Sequence, residues 1–263
     1  MVHALHRSDF KTKDGLPYFE IPEIKQLGWI NHAFLTRQGG VSPSPYHTLN
    51  LGSSNGDLPD NVSKNRNRIA AAFGFDPGCL IQLQQMHQDR ILILKGSPDP
   101  LPADLRYDAV ITHCPDRVLS IKTADCIPIF IVDRAKKLIA AVHAGREGTA
   151  RHITGKVLKQ MRFEFGSMPQ DLLVALGPAI GPRCYEIEER VFRPEWAPFS
   201  TPAGAGKWKV DLFSINIGQM REEGIEEEQI WDIDPCTHCH NDLFFSYRRE
   251  GQTGRQLSFI GRI

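Results

Sequence analysis

The longest apolar runs in the chain cover residues 127–132 and 138–143, on either side of the polar stretch Asp133-Arg134-Ala135-Lys136-Lys137. Two such runs around a polar turn predict a β-hairpin. Shorter runs of aliphatic and β-branched residues at 80–84, 90–95, 108–112, 118–122, 172–176, 243–247 and 256–260 predict further strands. Helical patterning is clearest at 61–73. There Asp60 or Ser63 can cap the start, Ala70, Ala71 and Ala72 favour the interior, and Gly74 can end it. Helices are also expected at 149–164 and at 211–223, before Gly224. Strands outnumber helices, and several follow one another with no helix between them. That order predicts an α+β fold of packed layers rather than a regular alternation of strand and helix. Residues 1–16, 97–105 and 194–207 read as irregular; the last holds three prolines and two glycines. None separates domains, and there is no internal repeat, so 1–263 reads as a single domain.

Composition narrows the partners. Lysine plus arginine and aspartate plus glutamate both total 31, so no net field draws the chain to nucleic acid or to an anionic membrane. The expected partner is a small molecule or another protein, with the chain a monomer or a homodimer. No apolar run approaches the roughly 18 residues of a membrane-spanning helix. The first fourteen residues hold three Lys/Arg and two His and no apolar core, so no secretory signal is expected and the location reads as cytoplasmic. The six cysteines, at 79, 114, 126, 184, 236 and 239, are too scattered for a secreted disulfide framework. They are expected as free thiols, open to metal or to chemistry.

The hairpin brings two of the candidates together. Cys126 precedes its first strand and His143 ends its second, so both sit at the open end. With a turn of two or four residues they share a face, directly opposite or one diagonal step apart. Thiolate beside imidazole suits zinc, and a catalytic zinc takes three protein ligands and keeps one position open. His87 is the best third ligand. It follows the alternating run 80–84 and sits among Gln84, Gln85 and Gln88, the setting of a strand end at a site. Asp125, next to Cys126, is a candidate supporting carboxylate.

The run Thr123-Ala124-Asp125-Cys126-Ile127-Pro128-Ile129, followed by Ala141-Val142-His143-Ala144-Gly145, resembles the laccase-domain family. That family is also called multicopper polyphenol oxidase and, more recently, zinc-dependent purine nucleoside phosphorylase. Other stretches resemble it in the same order: Thr36-Arg37-Gln38-Gly39-Gly40-Val41-Ser42, Asn50-Leu51-Gly52 with Gly56-Asp57 and Asn65-Arg66, Gln84-Gln85-Met86-His87, Leu176-Gly177-Pro178-Ala179-Ile180-Gly181 and Phe244-Phe245-Ser246-Tyr247-Arg248-Arg249. The resemblance implies that His87, Cys126 and His143 are metal ligands and the catalytic centre, for zinc or, given the donors, copper. It implies a layered α+β sandwich with mixed sheets, similar to the deamidase domain of cytotoxic necrotizing factors. It also implies phosphorolysis of adenosine, inosine, guanosine and S-methyl-5'-thioadenosine, with adenosine deamination alongside. Purine nucleoside and phosphate are then the expected partners. Arg37, Arg66 and Arg248 are candidates for holding phosphate or ribose.

One position departs from the resemblance. The family usually reads His-Ala-Gly-Trp-Arg-Gly, where this chain reads His143-Ala144-Gly145-Arg146-Glu147-Gly148. A carboxylate thus stands where a cation is usual. The proton donor to a leaving purine is open among His113, Asp125 and Glu147. Other readings stay open at this level: a cysteine hydrolase or deamidase with Cys126 as nucleophile and His143 as base, a copper oxidase, or a non-enzymatic protein with a structural metal. Cys236-Thr237-His238-Cys239-His240 fits the haem-attachment spacing C-x-x-C-H, but such attachment usually needs export. A second zinc or redox site at Cys236 and Cys239, with His238 or His240, is the alternative to two plain thiols in a loop.

Overall fold

The hairpin forms as the pattern predicts. In the computed structural model, which describes residues 6–7, 9–96, 101, 103–233 and 235–262, strands Ile127–Asp133 and Leu138–Ala144 pair Leu138 with Asp133 and His143 with Pro128. Residues 134–137 make the turn, and the Asp133 carboxylate accepts the N–H groups of Ala135 at 2.9 Å and Lys136 at 2.8 Å. An aspartate that bonds the backbone two residues on is a turn former.

Every position of both strands is buried. The reason is that the hairpin is covered on both faces, which removes the usual polar alternation. It lies inside a seven-stranded mixed sheet in the order His6–Arg7, Ile230–Asp232, Leu172–Leu176, Ile127–Asp133, Leu138–Ala144, Ala109–Thr112, Ile91–Leu94. Ile127, Ile129, Ile131, Ala140 and Val142 face one way, against Ile153, Val157 and Met161 of one helix and Ile215 and Met220 of another. Phe130, Val132, Ile139 and Ala141 face the other way and meet Phe34, Ile81, Leu119, Ile121 and Ile260. These belong to a six-stranded mixed sheet in the order Asp9–Lys13, Leu16–Glu20, Ile30–Leu35, Gln256–Arg262, Val118–Thr123, Leu80–Gln82. Its outer face, with Leu16, Ala33, Leu35 and Phe259, carries helix Pro59–Phe73 through Ile69, Ala72 and Phe73. The layers therefore run helix, sheet, sheet, helices, the α+β sandwich with mixed sheets that was expected. A three-stranded sheet, Glu186–Glu188, Lys207–Val210, Ser200–Gly204, joins the second helical layer through Ile187 and Val210. No helix among the described residues is long and apolar enough to cross a membrane.

Several local expectations are corrected. The helix expected at 149–164 is two, Arg146–Ala150 and Ile153–Phe165, broken at His152 with φ 58°. The Thr149 carbonyl accepts the Gln219 side-chain amide at 2.8 Å from the neighbouring helix Leu212–Glu222. Residues 243–247 are not a strand. The Phe245 N–H is taken by the Gln256 side chain at 2.9 Å, and Ser246 caps helix Tyr247–Glu250. Residues 194–207 are not a loop: buried Trp196 anchors a 3-10 turn at Pro194–Phe199, and strand Ser200–Gly204 follows. Helix Pro59–Phe73 starts on Pro59 without a side-chain cap, so neither Asp60 nor Ser63 has that role, while Gly74 ends it with φ 74°. Of the other stretches read as irregular, 9–13 is a strand, and residues 1–5, 8, 97–100 and 102 lie outside the described residues.

Candidate metal centre

One buried carboxylate organises the site. Asp108 stands just before strand Ala109–Thr112 and, by the pairing of Ala109 with Val142, lies across from His143. The His143 N–H donates to the Asp108 carbonyl at 2.7 Å, and His143 Nδ1 lies 2.8 Å from the Asp108 carboxylate. The same carboxylate accepts three successive backbone N–H groups, from Met86 at 3.1 Å, His87 at 2.9 Å and Gln88 at 2.9 Å. His87 has φ 57°, the left-handed turn that aims consecutive amides at one anion. Burial alone would push the Asp108 carboxyl up. The His143 hydrogen bond and the backbone amides outweigh it and hold the group below the usual carboxylate range.

Continuing the hairpin register by one position sets Cys126 across from Gly145 and one diagonal step from His143, the outcome expected of a four-residue turn. Cys126 Sγ lies 4.0 Å from His87 Nδ1, and the donor atoms of His87, Cys126 and His143 all fall within 4.8 Å of one another. Gly145 is needed for that closeness, since a Cβ there would stand 2.9 Å from the Cys126 sulfur and 3.0 Å from His87 Nδ1. His143 is buried, Cys126 half-buried and His87 exposed, so the cluster is reachable from one side. Burial pushes the Cys126 thiol up, but the charge of His143 and hydrogen bonds from both histidines bring it down to about 6. Burial pushes His143 down, and Cys126 with Asp108 raises it to about 9.

The donor set fits a metal. Asp108 occupies His143 Nδ1 and leaves Nε2 as the ring's remaining donor, the carboxylate–histidine arrangement that fixes a ligating tautomer. Two imidazoles and a thiolate, accessible on one side, match a three-ligand catalytic site.

Asp125 does not support a histidine. Its carboxylate accepts from Thr237 Oγ1 at 2.7 Å, Ser246 Oγ at 2.7 Å and the Arg248 N–H at 2.7 Å. Those bonds hold its backbone at φ 96°, a conformation costly for a residue other than glycine, and so fix the approach to Cys126. The supporting carboxylate expected at Asp125 is Asp108, which sequence reasoning missed. Its only signal was a charge at the head of an apolar run.

The three arginines separate. Arg37 is buried; it donates to the carbonyls of His47, Asn241 and Phe244, pairs with Glu250 at 2.8 Å, and lies over the Phe245 ring. It also lines a cavity of about 320 Å³ with Gln38, Gly39, His47, Thr48, Asn241 and Asp242, apart from the three donors. Arg248 donates to the Glu186 carbonyl at 2.5 Å and lies 5.1 Å from the Tyr185 ring centre. Arg66 keeps a buried Nε without a hydrogen-bond partner among the described residues. Beside it lies a lysine the sequence did not flag. Burial, and then the charges of Arg66 and Arg255, push the Lys122 ammonium below its ordinary range. Gln85, two residues before His87, brackets the Lys122 main chain at 2.7 and 2.8 Å, and Arg255 feels the charges of Cys126 and Asp125. Lys122 thus feels the charges of Arg66 and Arg255, and Arg255 in turn feels that of Cys126.

The remaining candidates are sorted by position. His113 follows the far end of the strand that Asp108 opens, roughly 16 Å away at about 3.3 Å per residue, and packs edge-on against Phe165. It is corrected from the proton-donor candidates. Glu147 pairs with Arg146 at 2.9 Å and lies 4.0 Å from Arg193, so the departure at 146–147 is locally neutralised. Tyr185 was also missed: burial, then the Cys126 charge, push its phenol up to about 12.

Fold and site together define an α+β layered protein with a three-donor cluster, able to hold a metal, at the open end of its central hairpin. Residues 31–263 match the family described as multi-copper polyphenol oxidoreductase laccase, and the chain belongs to that family. It is 39% identical over 234 residues to "Purine nucleoside phosphorylase YfiH" of Shigella flexneri, covering 87% of this chain and 92% of that one. It is 34% identical over 241 residues to "Purine nucleoside phosphorylase YlmD" of Bacillus subtilis, covering 87% of each. Among solved structures, Bacillus licheniformis hypothetical protein YfiH superposes with a TM-score of 0.87 at 30% identity, covering 96% of this chain and 98% of that one. YlmD from Geobacillus stearothermophilus superposes with a TM-score of 0.87 at 31% identity, covering 97% and 99%.

Proposed function

We propose that this chain is a purine nucleoside phosphorylase working at a zinc centre held by His87, Cys126 and His143. Its substrates are adenosine, inosine, guanosine and S-methyl-5'-thioadenosine, and adenosine deamination is a second activity of the same centre. The observation that carries the reading is the three-donor cluster, locked by Asp108; Arg255, which feels the Cys126 charge, and Lys122 and Arg66, electrostatically linked to one another, supply the cations that the reading needs. The names borne by the relatives point the same way.

In phosphorolysis a phosphate oxygen forms a bond to ribose C1′ while the bond from C1′ to the purine nitrogen breaks. The electron pair leaves with the purine, which takes up a proton, and the sugar leaves as ribose 1-phosphate. The three cations hold the phosphate dianion, whose charge offsets their mutual repulsion. Asp108 keeps His143 in one tautomer and holds the His87 turn in place. Tyr185, kept neutral by burial, serves as hydrogen-bond donor to the purine. A zinc ion supplies Lewis acidity and a means of activating water near neutral pH. In deamination, water replaces the amino group at purine C6 and ammonia leaves.

The test is chromatography of adenosine incubated with zinc-loaded protein, with and without phosphate, beside His143→Ala. Adenine and ribose 1-phosphate should form only with phosphate, and inosine should form without it; both should vanish in the variant. Intact adenosine alongside a stoichiometric metal content would reject the assignment. Lys122→Gln should raise KM for phosphate by roughly 10–100-fold, the loss of a charge-assisted hydrogen bond, and leave KM for nucleoside in place.

A second reading has its own support. Cys126, His143 and Asp108 stand in the order nucleophile, base and orienting carboxylate, the arrangement of a cysteine hydrolase. Such an enzyme needs no metal and has no use for His87 as a ligand, so retention of activity after metal removal would favour it.

A further inference from the structure

We propose that Cys184, Cys236, His238 and Cys239 form a second metal site, a closed structural zinc centre separate from His87, Cys126 and His143. The donor atoms of Cys184, His238 and Cys239 all lie within 4.8 Å of one another, although Cys184 is 54 or more residues away in sequence. The Cys184 and Cys239 sulfurs are 3.4 Å apart, and Cys236, three residues before Cys239 and outside that 4.8 Å group, is the third thiol on the same turn. All of these cysteines are free. Three thiols and an imidazole are the Cys3His donor set of structural zinc sites, and C-x-x-C is their usual ligand spacing.

The local backbone is built to hold that set. The N–H groups of Cys239 and His240 both return to the Cys236 carbonyl, at 3.1 and 3.0 Å, which folds the segment into a tight turn. The Gly181 N–H donates to Cys236 Sγ at 3.1 Å, and such bonds stabilise a metal-bound thiolate. The Cys184 N–H bonds the Gly181 carbonyl at 3.0 Å, so one short turn carries both a ligand and the donor to another ligand. Arg249 holds the His238 carbonyl at 2.9 Å.

The site has a purpose in the fold. Thr237, between two of the ligands, is fully buried and donates to the Asp125 carboxylate. Asp125 sets the strained backbone that presents Cys126. An ion at Cys184, Cys236, His238 and Cys239 therefore ties the turn that positions Asp125 and, through it, the first centre. It would act on catalysis by position alone.

The test is metal content under reducing conditions, by native mass spectrometry and by elemental analysis of protein grown with zinc. The intact chain should carry two zinc ions. Cys126→Ser should carry one, and Cys126→Ser with Cys239→Ser none. Cys184→Ser alone should lose one ion and melt at a lower temperature. Cobalt loaded into Cys126→Ser should show intense thiolate-to-cobalt charge transfer, which reads the site without relying on a variant of its ligands. A single ion kept in Cys126→Ser would count against the first centre instead, whereas a single ion in the intact chain that Cys126→Ser removes, or an unchanged count in Cys239→Ser, would overturn the proposal. So would a Cys184–Cys239 disulfide that persists in protein isolated without oxidant and leaves no metal there.

Discussion

At the scale of the residue, Asp108 decides most about the centre, because one carboxylate fixes a histidine ring and the turn that carries the other histidine. Asp108→Asn keeps the shape but loses the charge that holds three amides and the imidazole. Zinc affinity should fall by about 10–100-fold, the usual cost of losing a partner behind a ligand. Competition against a chromophoric chelator measures it, and an unchanged affinity would remove Asp108 from this role. His32 gives a pH prediction. It is buried, its Nε2 accepts the Ile21 N–H at 2.9 Å, and burial, then the charges of Lys25 and Lys11, bring its pKa down to about 3. The unfolded chain takes up that proton first, near 6.5. This contribution to stability is therefore whole above 6.5 and is lost as pH falls from there towards 3, by at most about 1.4 kcal/mol per pH unit. Denaturant midpoints between pH 7 and pH 5 should slope less in His32→Gln than in the parent; equal slopes would exclude His32 as the cause. The sequence showed His87, Cys126 and His143, because each ends or precedes a patterned run. Asp108, Tyr185 and Lys122 were hidden, because their roles depend on cross-strand neighbours and burial that spacing does not encode.

At the scale of the element, the hairpin's parity brings the donors together. A four-residue turn keeps Cys126 and His143 on one face, and Gly145 gives the thiol room. Gly145→Ala should leave the far-ultraviolet circular dichroism and the sheet intact while lowering zinc affinity. A variant that binds zinc like the parent would show that the thiol can move aside at no cost. The hairpin was legible because its runs are long and its turn is polar. The break at His152 was not, because it depends on Gln219 from another helix reaching the Thr149 carbonyl. The strands Leu16–Glu20 and Ile30–Leu35 were missed as well, and Phe244 and Phe245 read as strand residues although their backbone is loop.

At the scale of the whole molecule, two mixed sheets packed face to face leave the centre at one end of the layer between them. Asp108, Cys126 and His143 come from the seven-stranded sheet, and His87 follows a strand of the six-stranded one. The layered α+β class followed from the order of strands and helices, since consecutive strands without helices exclude a simple parallel wind. The sheet order did not follow, because it joins segments far apart in sequence, such as Gln256–Arg262 between Ile30–Leu35 and Val118–Thr123. A centre built across both sheets ties the proposed metal and the proposed activity to the fold. The most direct measurement is therefore the initial rate of adenosine loss in phosphate for protein as purified, stripped by chelator, and restored with zinc, with circular dichroism recorded at each stage. The rate should vanish on stripping while the fold persists, and should return with zinc. A stripped, folded protein that keeps its full rate would contradict a metal-centred reaction and leave Cys126 as the nucleophile.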